Sequence, residues 1–292
     1  MLTLFLMTEK GYDFLRGTLD DYRSLFRLVV VGFDTSVLED YSERIICLCE
    51  EMGVPWICRE DFSGIESEYV VAVSWRWLIS HPSDKLIVFH DSILPKYRGF
   101  APLVNSLVNG EPEIGVSAIL GADDFDRGDL IAQSKSLVAY PIKISDAIKV
   151  NNENYISCAH SVLGKLARGE LLNAVPQDEN FATYSVWRDE EDYRIEWNNS
   201  AASIRRFVDA VSFPYKGAST LLDGRVVRLL SVEEYPDVVV ENRHPGKVLF
   251  AKQGKPVVIC GEGMLKIIDA HYEDKDGMTQ FFPMKKFRMR FS

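Results

Sequence analysis

The strongest constraint on the fold is the recurrence of short, continuous apolar runs with helix-like segments between them. Leu28-Val-Val-Val-Gly32, Tyr69-Val-Val-Ala-Val73 and Leu86-Ile-Val-Phe89 show no polar alternation. That is the pattern of parallel strands covered on both faces. Residues 1–7 read as a further strand and residues 9–19 as a helix. Residues 38–52 carry Leu38, Tyr41, Ile45 and Leu48 at helical spacing, with Gly53 as the stop. Ile114-Gly-Val-Ser-Ala-Ile-Leu120 and Leu130-Ile-Ala132 follow as a strand pair. Ser145 is placed to cap a helix that runs through about residue 166 and is closed by Gly169. This alternation predicts an α/β domain over residues 1–175, Rossmann-like with a mostly parallel sheet, whose ligands bind beyond the carboxyl ends of the strands.

The texture changes at Asn173-Ala-Val-Pro-Gln-Asp-Glu-Asn180, a polar, Pro-bearing connector and the expected first site of proteolysis. One short helix is predicted over residues 201–211. Short strands are predicted at 218–222, 225–230, 246–250, 256–260 and 265–268, the first two joined by an Asp223-Gly224 turn. A smaller β-rich barrel or sandwich over residues 181–292 is the expectation. With 292 residues, 47% hydrophobic and 26% charged, the chain can bury cores for both domains, and disorder is excluded for its bulk. Its net charge of −10 disfavours polyanionic partners unless a basic patch overrides it. The best such cluster, Lys285-Lys-Phe-Arg-Met-Arg290, reads as an edge strand or solvated tail. Five scattered cysteines without a CxxC spacing read as reduced, buried or half-buried thiols of a cytoplasmic protein. The first residues lack a basic n-region and a cleavage site, and no apolar run approaches the ~20 residues of a membrane span. The histidines are remote from one another in sequence and form no zinc-ligand spacing.

The segment that carries chemistry is His90-Asp-Ser-Ile-Leu-Pro-Lys-Tyr-Arg-Gly99, at the exit of the strand ending in Phe89. Histidine titrates near neutrality and suits proton transfer, although a lone histidine at a strand end more often only caps it. Its neighbours sharpen the chemical reading. Pro95 stiffens the loop, Arg98 offers a fork for a carboxylate or phosphate, and Gly99 permits close backbone approach. Gly121-Ala-Asp-Asp-Phe-Asp-Arg-Gly-Asp129 is a carboxylate-rich turn between two strands. One of its aspartates could orient the imidazole.

At these residues the chain resembles the formyltransferase family that uses 10-formyltetrahydrofolate. His90, Ser92, Leu94-Pro95 and Arg98-Gly99 match the family pattern, and Asp126 lies 36 residues after His90, as the pattern requires. Asn109-Gly-Glu-Pro-Glu-Ile-Gly-Val116 and Asp126-Arg-Gly-Asp129 resemble its intervening segments. Ala182-Thr-Tyr, Arg194-Ile-Glu-Trp197, residues 204–211 and His244-Pro-Gly-Lys-Val248 resemble its small OB-like carboxyl-terminal domain, so the likeness covers nearly the whole chain.

The resemblance implies His90 and Asp126 as catalytic residues. It also implies a folate donor held near Trp75, Arg76, Trp77 and Leu78 and against Gly121, Asp123 and Asp124, with Ser92, Arg98 and Gly99 alongside. One position departs. Val88 stands where the family carries the asparagine that holds the formyl oxygen. Loss of one such donor lowers rates by about 10²–10³. Another donor in the 90–99 loop, a slower reaction through His90 alone, and a non-catalytic binder all remain open. For the acceptor, the acidic chain favours an amine on a nucleotide-linked sugar over tRNA. Other amines and hydrolysis of the donor are further alternatives, and a homodimer is possible in this family.

Overall fold

The computed structural model describes residues 1–292 apart from 36, 38, 275, 276 and 285. Two compact units emerge. One contains residues 1–106, 112–138 and 147–187, and the other 107–111, 139–146 and 188–292. The first unit therefore runs past the boundary expected at residue 175.

Strands β1 (Leu2–Leu6), β2 (Phe26–Val31), β3 (Trp56–Cys58), β4 (Tyr69–Val73) and β5 (Leu86–His90) pair in parallel in the order β3-β2-β1-β4-β5. Strand β6 (Arg98–Gly99) lies outside this sheet. Strands β7 (Glu113–Leu120) and β8 (Leu130–Leu137) extend the sheet beyond β5 as antiparallel neighbours. The apolar runs of the sequence are these strands, and they are buried because helices or loops cover both faces. Helix α1 (Thr8–Tyr22) buries Phe14, Leu15 and Leu19 in the principal core, and α2 (Ser42–Met52) adds Ile45 and Cys49. The sequence placed the start of α2 near Leu38, which lies outside the described residues. The observed start is later because Tyr41 is left-handed, at φ 61°, and the Asp40 carboxylate accepts the Ser42 N–H at 3.1 Å. Helix α3 (Pro102–Asn109) was not anticipated. Helix α4 (Ile144–Ala167) begins one residue before Ser145, which therefore stands inside its first turn. Gly169 closes the helix at φ 68°.

Strand β9 (Tyr184–Ser185) pairs in parallel with β6. In the second unit, α5 (Ala201–Ala210) is capped by the Ser200 hydroxyl. Strands β10 (Ala218–Leu222), β11 (Arg225–Tyr235), β12 (Val248–Lys252), β13 (Lys255–Ile259) and β14 (Met264–Asp274) form an antiparallel sheet in the order β10-β11-β14-β13-β12. Strand β15 (Gly277–Gln280) pairs with β14.

The segment read as an edge strand or tail joins the two rims of this sheet. Phe291 bridges to Leu222 of β10, and Arg290 to Lys247 just before β12. Lys285 of the same cluster lies outside the described residues. Of the five cysteines, Cys47 is exposed, against expectation. Burial pushes the Cys49, Cys158 and Cys260 thiols up to about 12. Among the described residues, no helix is long and apolar enough to cross a membrane, and no three His, Cys, Asp or Glu side chains converge as metal ligands.

Candidate active site

Strand β5 ends on His90, and its pairing with β4 and β7 fixes where the imidazole begins. Along this strand Ile87 and Phe89 enter the principal core. Leu86 and Val88 pack against a smaller cluster of Phe5, Val30, Val70 and Ala72 on the opposite face. Period-two alternation then directs His90 to the side of Val88.

His90 is buried, and both ring nitrogens are engaged. Nδ1 lies 3.3 Å from Asp126 Oδ1, and Nε2 lies 2.8 Å from the Tyr97 carbonyl. A carbonyl and an ionised carboxylate can only accept, so the arrangement favours a proton on each nitrogen, the imidazolium form. Burial pulls the His90 pKa down. The hydrogen bond and charge of Asp126, helped by the Tyr97 carbonyl and the Asp91 charge, outweigh it and hold the value above the ordinary 6.5. For Asp126, burial acts upward, but the imidazolium and the Gly99 N–H bring its carboxyl below the ordinary 3.8.

Asp126 reaches this position from a left-handed turn, at φ 57°. Its other oxygen accepts the Gly99 N–H at 2.8 Å. Gly99 itself has φ 98°, and a Cβ there would meet the Ser185 carbonyl oxygen at 2.4 Å. Only glycine allows that strand of two residues to close against both partners.

The remaining motif residues shape the loop. The Ser92 hydroxyl donates to the Lys96 carbonyl at 2.6 Å, while the Ser92 carbonyl accepts the Ser117 hydroxyl at 2.6 Å. Arg98 was expected to present its fork to a ligand. It is wholly buried instead, bonded to Gln177, Glu179 and the Tyr184 hydroxyl, so its guanidinium organises the protein. Asp91, adjacent to His90, is paired with Lys10 and accepts the hydroxyl of the buried Tyr155. Gly121 N–H is taken by the Leu86 carbonyl at 2.8 Å. Asp123 and Asp124 are exposed, the latter 3.0 Å from Arg127.

The loop after β4 forms a separate hollow. Trp75 packs edge-on against Phe5 and Trp77, and the Arg59 guanidinium lies 4.1 Å from the Trp77 ring centroid. A Cβ on Gly32 would meet both indoles and Met7 within 2.9 Å, so that glycine lets the tryptophans close over the end of β2. With Phe62, Ile65, Leu78 and Ile79 they line a cleft of about 420 Å³, and His90 and Asp126 are not part of its wall. Arg76 turns away to pair with Asp34. The Trp75 indole N–H is buried without a protein acceptor, an open donor beside this cleft.

The sequence therefore located the histidine, its carboxylate and the glycine that joins their loops. It missed the Tyr97 carbonyl, Lys10, Tyr155 and Gln177. These act through backbone atoms or across long sequence separations, and no local pattern marks them.

A buried imidazole–carboxylate pair thus stands at the exit of a strand of a Rossmann-like sheet, an arrangement suited to acid–base chemistry. The chain belongs to the formyl transferase family. The family's "Formyl transferase" model matches residues 60–150, and its "Formyl transferase, C-terminal domain" model matches residues 188–286. Among curated relatives, the methionyl-tRNA formyltransferase of Sorangium cellulosum is 29% identical over 64% of this chain and 59% of its own length. That of Caldanaerobacter subterraneus subsp. tengcongensis is 30% identical over 67% of this chain and 62% of its own. The chain thus spans about three fifths of these relatives. An N-formyltransferase from Helicobacter canadensis, solved with folinic acid and dTDP-3-aminofucose, shares the fold. Its TM-score is 0.69 at 14% identity, with 91% of this chain and 97% of that chain covered.

Proposed function

We propose that the protein transfers a formyl group from 10-formyltetrahydrofolate to an amine, and that the amine belongs to a nucleotide-linked amino sugar. The His90–Asp126 pair carries the first part of the reading. The donor supplies an electrophilic formyl carbon. Turned from the Tyr97 carbonyl, the Nε2–H of the protonated ring can donate to the formyl oxygen, which gains charge as the amine adds. The ring then gives that proton to the donor's N10 as the bond from N10 to the formyl carbon breaks, releasing tetrahydrofolate, and takes in its place the proton of the added amine, with Asp126 fixing the ring through Nδ1. Val88 adds no donor, which places this task on His90 and on backbone N–H groups of the 90–99 loop.

The sugar acceptor is favoured by the net charge of −10, which opposes a long phosphate backbone. The Helicobacter N-formyltransferase also shares its fold with this chain over almost its whole length. The sequence relatives favour a second reading, in which the acceptor is methionyl-tRNA.

The deciding experiment incubates the protein with 10-formyltetrahydrofolate and either a panel of nucleotide amino sugars or methionyl-tRNA, read by mass. A gain of one formyl group on a sugar nucleotide supports the proposal. Gain on methionyl-tRNA alone replaces the acceptor, and formate release without any acceptor replaces transfer with hydrolysis.

A further inference from the structure

Residues 175–185 lie between the two family matches and read in the sequence as a connector. They are bonded to both loops that form the imidazole–carboxylate pair. Val175 exchanges two backbone bonds with Leu130, at 2.8 and 2.9 Å, just beyond the Asp126 turn. Thr183 accepts the Arg98 N–H at 2.9 Å and donates its own to the Pro95 carbonyl at 3.2 Å, while its hydroxyl accepts the Tyr97 N–H at 2.9 Å. Glu179 bonds Arg98 at 2.8 Å and Arg127 at 3.1 Å.

Gln177 reaches both loops with one amide. Its Oε1 accepts from Arg98 Nε at 3.1 Å and Nη2 at 2.8 Å. Its Nε2 donates to the carbonyls of Asp126 at 2.8 Å and Gly128 at 2.7 Å. Both donors and both acceptor sites of the amide are filled. The partners also fix its orientation, since a flipped amide would set NH₂ against a guanidinium and oxygen against two carbonyls. What it restrains is a residue in need of restraint, because Asp126 holds a left-handed backbone that side-chain-bearing residues seldom adopt.

We infer that Gln177 is a positioning residue for the His90–Asp126 pair. It ties the turn that carries Asp126 to the guanidinium of Arg98, whose backbone leads directly into the Gly99 N–H that Asp126 accepts. The inference rests on the acid–base reading of this site. The connector is thereby part of the machinery that aims the carboxylate at the imidazole.

Two replacements test this with readouts that do not require turnover. Gln177→Met removes all four bonds. Gln177→Glu keeps acceptors for Arg98 but sets an oxygen against the Asp126 and Gly128 carbonyls. In both, the Gly99 amide resonance should shift upfield with faster hydrogen exchange. In Gln177→Met the His90 imidazole titration followed by NMR should also move down towards 6.5, whereas the carboxylate of Gln177→Glu adds a negative charge that acts the other way. Where turnover is measurable, kcat should fall about 10- to 100-fold with the donor KM nearly unchanged.

A folded variant with wild-type His90 titration and Gly99 amide overturns the inference, even if turnover falls. A Gln177→Glu protein that matches wild type while Gln177→Met does not assigns the residue to Arg98 alone and also overturns it. If Gln177→Met fails to fold, Gln177→Glu decides. Rapid exchange of the Gly99 amide in the unaltered protein overturns the inference without any variant. Should no amine accept a formyl group, the functional reading fails, and the titrations still judge the role of Gln177.

Discussion

Asp126 and His90 hold each other charged, and the two shifts set the pH range of that support. The raised His90 pKa contributes stability that is fully present below about 6.5 and is lost as pH rises through the folded value. The depressed Asp126 pKa contributes stability present above about 3.8 and lost as pH falls through its folded value. The difference in melting temperature between wild type and Asp126→Asn should therefore be largest between about pH 4 and 6.5 and shrink as pH rises through the folded pKa of His90. A difference independent of pH would contradict the pairing. His90→Ala is expected to lower kcat by about 10²-fold or more while the fold persists. Val88→Asn is the informative gain-of-function test. Val88 sits half-buried on the imidazole's face of β5, so an amide there should donate to the formyl oxygen and raise kcat, by up to about 3 kcal/mol in the barrier. A fall in kcat with unchanged stability would mean that another group already serves the oxyanion.

Elements whose logic is local were legible, and those made by distant partners were not. The runs ending at Val73 and Phe89 declared themselves because burial on both faces leaves no polar position within them. β3 escaped notice because Trp56-Ile-Cys58 is too short to show any period, and its strand character comes from pairing with β2. In the second unit, alternation in Phe287, Met289 and Phe291 was visible but not its destination. Met289 and Phe291 are buried, Phe291 at 1% exposure, because this strap closes the gap between β10 and the approach to β12. Phe291→Ala should lower the unfolding free energy by about 3–5 kcal/mol, the usual cost of emptying a buried aromatic site. Chemical denaturation followed by tryptophan fluorescence would measure it, and a change below about 1 kcal/mol would show that the strap is dispensable.

For the whole molecule, a polar, Pro-bearing composition marked residues 173–180 as the joint between two parts. The chain does contain two compact units, but the first continues to Trp187. Composition reports which residues can be solvated; it is blind to the bonds from Gln177 and Thr183 that fasten this stretch to the site loops. Limited proteolysis should accordingly cut first within residues 236–244, where no strand or helix forms and Val239 is 95% exposed, and should spare 175–185. Early cleavage at 175–185 would count against the fastening. The same fastening bears on how such chains can be recombined. A crossover at the Pro-bearing stretch would hand the recipient a foreign glutamine and threonine to aim its own aspartate, and the hybrid would inherit a misfit in its catalytic half. A crossover just after Trp187 keeps Gln177 and Thr183 with the loops they fasten, so the seam at which the carboxyl-terminal segment can be exchanged lies about a dozen residues later than composition advertises.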